Sequence, residues 1–175
     1  NLLPLIVVAR FGAAHGAVFF VVWMGVVALD LAFVGFGNAL VVRLQGAGLH
    51  LLRHALSRVL AIFAVPLLGA ALAASPLLGL FGDVYARDGH TFLRWVVLGV
   101  VFRLVVILVS AIHLGAARPQ GMALLQAVTT VAVVALAFLV PKSDVATELA
   151  TIGIGFVVVH VVAATVAVAD LARRR

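Results

Sequence analysis

The stretch from Trp95 to Ile112 is eighteen residues long and carries one ionisable side chain, Arg103. At 1.5 Å rise per residue, about 20 apolar residues in a helix span a hydrocarbon core of about 30 Å. Backbone polar groups in that core have no water to bond, so a single chain crosses it as a helix. Arg103 then falls near mid-membrane, where an arginine costs roughly 2.5–3.5 kcal/mol on insertion scales. It must face a partner or a wet cavity rather than lipid.

The rest of the chain repeats the pattern. Of 175 residues 66% are hydrophobic and 10% charged, with a mean hydropathy of +1.32. A soluble domain carries about 25% charged residues, and this chain could not cover itself in water. The fold expected is all-α, a polytopic membrane bundle lying in a lipid bilayer. Spans are read at about 17–42, 59–80, 92–115, 122–140 and 149–170, five full helices, with a partial one at 1–9. Residues 1–175 form one domain. The chain opens at Asn1 inside an apolar run too short to span, which reads as the end of a helix in a longer protein. This chain would be the C-terminal portion.

Between the spans, Gly12 and Gly16 suit a turn, residues 82–91 read as a polar turn, and Pro66 is expected to kink the third span near Ile62. Residues 43–58 form a basic connector. Its second half sets Leu49, Leu52, Leu56 and Leu60 on one face, an interfacial amphipathic pattern. Arg53, His54 and Arg58 there are candidates for contact with anionic lipid head groups, or a plain positive-inside signal. If this connector is cytoplasmic, so are 116–121 and the C-terminus. That side then holds seven Lys/Arg residues against four on the other, which favours a cytoplasmic C-terminus.

The net charge of +6 does not argue for nucleic acid, because the basic residues are scattered between apolar runs. The absence of cysteine excludes disulfides and thiolate sites. His50 and His54 have i, i+4 spacing, but no HExxH pattern accompanies them. No glycine-rich phosphate loop or Ser/His/Asp arrangement is present. Neither an enzyme nor a cofactor is expected.

The candidate chemistry lies at mid-depth. Asp30 and Arg103 each sit near the middle of a span with opposite charge. They read either as cavity charges meeting an anionic or proton-coupled substrate, or as a structural ion pair. His160, mid-span in the last helix, is a proton-relay candidate or a hydrogen-bonded packing histidine. Asn38 and Gln126 are further cavity candidates, although Gln126, Thr129 and Thr130 read first as interhelical hydrogen bonders.

Taken in order, LLPLIVVARFGAAHGAVFFVVW, a long span, a basic connector, a proline-bearing span, LLGLFGDVYARDG and FLRWVVLGVVFRLVVILVSAIHLGAARPQG resemble a known family. They are similar to the second half of polysaccharide-biosynthesis flippases of the MOP superfamily (multidrug/oligosaccharidyl-lipid/polysaccharide exporters), from within the seventh helix through the twelfth. Relatives usually have proline where Phe102 stands, a basic residue at His113 and a glutamate near Arg43 or Gln45. The resemblance implies the C-terminal lobe of a MOP/MATE-like transporter in a bacterial cytoplasmic membrane. Its partners would be an N-terminal lobe of the same protein and a polyprenyl-diphosphate-linked glycan, moved by alternating access. The other reading is a multi-helix membrane anchor that docks a partner protein and transports nothing.

Overall fold

In the computed structural model, residues 3–44, 49–115 and 120–173 are described, with side chains in all of these except 40–56, 60 and 115. The described residues form helices and connecting turns. These are α1 (Leu3–Phe11), α2 (Ala13–Leu44), α3 (Leu49–Leu72), α4 (Ala74–Gly79), α5 (Asp83–Gly115), α6 (Gln120–Leu139) and α7 (Val145–Arg173). Four of them, α2, α5, α6 and α7, contain stretches long and apolar enough to cross a membrane. Of the five full spans and one partial span expected, four are met at that length among the described residues.

The span expected at 59–80 is divided between two helices, α3 and α4. Its described apolar helix runs only from Ser57 to Leu72. α3 continues through Pro66 as one helix, and the chain breaks seven residues later, at Ala73 (φ −91°, ψ 20°), before the short α4. The polar turn read at 82–91 is also corrected. Of these residues only Gly82 lies outside a helix, with φ +126°, a conformation that L side chains rarely adopt. From Asp83 the chain is already helical, with that carboxylate in the first turn, where the helix dipole favours it. Gly12, at φ +96°, supplies the turn between α1 and α2, as its sequence context suggests.

Three of the long helices run parallel. Phe19 stacks on Phe92 with ring centroids 5.2 Å apart, and Asp30 meets Arg103 at the same sequence separation, 73. Between α5 and α7 the separation is 57, both where Arg103 meets His160 and where His113 meets Asp170. A constant difference in residue number along two contacting helices means parallel chains in fixed register. Residues at one depth of α2, α5 and α7 therefore face one another. Since α2 and α5 point the same way, α3 and α4 return the chain to its starting end. Phe33 packs on Phe63 and the Arg94 side chain bonds the Ala71 carbonyl on the way back.

α5 and α7 make the closest pair because both carry glycine at the crossing. A Cβ on Gly99 would lie 2.3 Å from the Phe156 ring, and one on Gly153 only 2.8 Å from Trp95 Cβ. In a bilayer, lipid tails are as apolar as leucine, so such close packing is what drives helices together. α2 packs against α5, α6 against α7, and α1 bridges α2 and α6. The result is a cleft with α5 and α7 as its floor, α2 and α6 as its walls and α1 over one end. Arg10 of α1 fixes that end by donating from Nη2 to the Val140 carbonyl at 2.7 Å.

The polar end of α7 is built locally. Asp144 accepts the Thr147 N–H at 3.0 Å, a helix cap, and hydrogen bonds from Thr147 hold the Asp144 carboxyl below its ordinary range. Outward-facing Leu31, Val65, Leu80 and Val131 are all more than two-thirds exposed, as a lipid-bathed bundle requires.

Candidate functional site: a charged trio in a membrane cleft

Parallel register brings three of the sequence candidates to one point. Arg103 Nε donates to Asp30 Oδ1 at 2.7 Å and Nη2 to Oδ2 at 2.7 Å, the bidentate fork that makes arginine–carboxylate pairs strong and directional. Arg103 Nη1 donates to His160 Nε2 at 3.1 Å, while His160 Nδ1 lies 2.8 Å from the Phe156 carbonyl. A guanidinium has no acceptor and a carbonyl no donor, so these partners assign the proton of a neutral ring to Nδ1. The trio then carries one negative and one positive charge. It answers the cost of a mid-membrane arginine directly, because the partner is a carboxylate on the neighbouring parallel helix.

The trio is not sealed. The side chains of Arg103 and Asp30 are 29% and 23% exposed, while His160 is 1% exposed beneath them. Arg103 opens onto a cavity of about 350 Å³ in the cleft, lined also by Leu3, Trp23, Thr129, Thr130 and Phe156. Thr129 and Thr130 spend their hydroxyl protons on the carbonyls of Leu125 and Gln126 in their own helix. Their oxygens keep lone pairs for a further donor. This corrects the expectation that they hydrogen-bond between helices. Trp23 also lines this cavity, while its Nε1 is buried and has no hydrogen-bond partner among the described residues.

A second cavity of about 280 Å³ continues along the cleft, lined by Val34, Asn38, Ile107, Ser110, Met122 and Gln126 among others. Asn38 and Gln126 are therefore brought to the cleft, but to this more apolar chamber and not to the trio. Asn38 is exposed and Gln126 half-buried. Arg58 is exposed. The side chains of Arg53, His54 and His50 lie outside the described residues, as do connectors 45–48 and 116–119 and the last two arginines. Among the described residues, no three His, Asp or Glu side chains converge as metal ligands.

Two further histidine–carboxylate pairs went unread in the sequence. His113, 5% exposed, sets Nε2 2.9 Å from Asp170 Oδ2 and Nδ1 2.9 Å from the Val109 carbonyl. At the other end of α7, buried Glu148 accepts the Ser143 N–H. His15 Nε2 comes within 3.0 Å of Glu148 Oε2, out of line for a hydrogen bond between them. A usable signal lay in the spacing. Arg103 and His113 are ten residues apart on α5, and their partners His160 and Asp170 are ten apart on α7.

No protein-family model, curated protein or solved structure matches the chain.

Proposed function

We propose that this chain is one lobe of a membrane transporter and that its cleft carries the anionic head group of an amphiphile. The observation that carries the reading is Arg103 at the wall of a cavity lined also by Trp23, Thr129 and Thr130. A planar fork suits phosphate and carboxylate oxygens, and the adjoining apolar chamber suits a hydrocarbon chain. Taken with the sequence resemblance, the favoured substrate is a polyprenyl-diphosphate-linked oligosaccharide, flipped by alternating access for polysaccharide biosynthesis. The membrane is then the bacterial inner membrane, the C-terminus cytoplasmic and the facing partner an N-terminal lobe of the same protein.

A second reading has its own support. Asp30 and His160 already engage all three guanidinium nitrogens of Arg103, as a purely structural pair in a non-transporting membrane anchor would. The two readings separate in a flux assay. The protein is reconstituted in proteoliposomes with a fluorescent polyprenyl-diphosphate saccharide, and its translocation is followed by quencher accessibility. The transporter reading expects flux in wild type, impaired flux in Arg103→Lys and none in Arg103→Gln at equal reconstitution. Equal flux in Arg103→Gln refutes it.

A further inference from the structure

We infer that an anion can occupy the Arg103 fork only as Asp30 takes up one proton, so that anion and proton bind together. The inference rests on the transporter reading and adds its coupling ion. Nε and Nη2, the side-on one of the two guanidinium edges that receive an oxyanion bidentately, are both held by Asp30 at 2.7 Å. Nη1 is turned to His160. An oxyanion that takes this side-on fork displaces the Asp30 carboxylate, and in doing so it converts a neutral trio into one with an extra negative charge. Charge at mid-membrane is costly enough to demand compensation.

Among the described residues, the surrounding elements place no other cation at the depth of the pair. α6 contains no titratable residue. The one cation of α1, Arg10, is bonded to the Val140 carbonyl at the roof. The titratable residues of α3 all fall in its first ten positions, and α4 has none. On α2 itself the other titratable residues are His15 and Arg43, fifteen and thirteen residues from Asp30, about 22 and 20 Å along the axis. On α5 the nearest neighbours of Arg103 that titrate are Arg94 and His113, nine and ten residues away. On α7 only His160 faces the pair, and a proton there would set an imidazolium against the guanidinium. Protonation of Asp30 restores neutrality instead. One proton passes from water to an Asp30 oxygen, the two N–H···O bonds to Asp30 break, and two form to the incoming oxyanion.

The test uses an anion whose charge does not itself titrate. Farnesyl sulfonate is bound to the purified protein in maltoside micelles and followed by calorimetry in two buffers of different ionisation enthalpy. About one proton taken up per anion is expected, with affinity falling about tenfold per pH unit where the proton must be supplied. Asp30→Asn, which can release the fork without a proton, should bind with no uptake and no pH slope. The wild-type proton count stands even if that variant fails to fold. Binding that needs Arg103 but takes up no proton overturns the inference and leaves the transporter reading intact. Proton uptake persisting in Asp30→Asn also overturns the inference. No Arg103-dependent binding overturns both.

Discussion

Removing one member of the Asp30–Arg103 pair is expected to destabilise the bundle more than removing both. Breaking a fully buried pair by deleting one partner costs roughly 3–5 kcal/mol, because the other charge is stranded. Here both side chains keep about a quarter of their exposure and border a cavity, which lowers that figure. Asp30→Asn strands a guanidinium that cannot give up its proton, and about 2.5 kcal/mol is expected. Arg103→Gln strands a carboxylate that can neutralise itself by taking a proton, so about 1.5 kcal/mol is expected. The double variant Asp30→Asn/Arg103→Gln replaces an ion pair by two amides that can bond each other, at about 1 kcal/mol. The interaction energy of the cycle is then about 3 kcal/mol. Reversible unfolding in mixed micelles measures all four proteins. A double variant at least as unstable as the sum of the singles would refute the argument that the pair solves the mid-membrane charge of α5.

Three further outcomes are expected. Gly153→Val should lower the midpoint of thermal unfolding in detergent by an overpacking cost of roughly 1–3 kcal/mol, since even a Cβ there lies 2.8 Å from Trp95 Cβ and 3.5 Å from the Phe92 carbonyl; an unchanged midpoint would mean that α5 and α7 do not cross this closely. Asp144→Ala should lower the same midpoint at neutral pH. Its capped carboxyl has a lowered pKa, so its stabilisation is present above the ordinary carboxylate range and lost as pH falls through the folded value. The variant and wild type should converge in acid, and a constant difference down to low pH would count against the cap. In this cysteine-free chain, Ser143→Cys should react with an impermeant thiol reagent in intact cells and Gln120→Cys should not; the reverse pattern contradicts the proposed orientation.

The residues of the trio could be read in the sequence, but their meeting could not. Mid-span Asp30, Arg103 and His160 announce themselves by charge or polarity in apolar runs. Whether they share a point depends on α2, α5 and α7 running parallel at separations of 73 and 57, which no local pattern encodes. Periodicity gives little help, because a membrane helix is apolar on its lipid face and its packed face alike. Residues 82–91 misled for a related reason. Their glycines and charges read as a turn, yet Asp83 sits in the first turn of α5, Arg87 and Asp88 pair with each other at 2.8 Å, and Gly89 makes room for Val18. Glycine there serves helix contact and not chain reversal. At Pro66 the missing N–H does not end α3, and the break falls at Ala73, which carries no breaker signal of its own. His113 and Glu148 were passed over because each lies near a helix end, where a polar residue is unremarkable until its partner is known.

The central claim is that the Arg103 cavity receives the anionic head of an amphiphile. Thr130 lines that cavity and is exposed, so Thr130→Cys places a unique thiol in it. The decisive measurement is the rate at which a small, polar methanethiosulfonate modifies this thiol, with and without farnesyl diphosphate. The account expects modification that farnesyl diphosphate slows several-fold, and loss of that protection when Arg103→Gln is added. A rate indifferent to farnesyl diphosphate, or protection undiminished by Arg103→Gln, would contradict it.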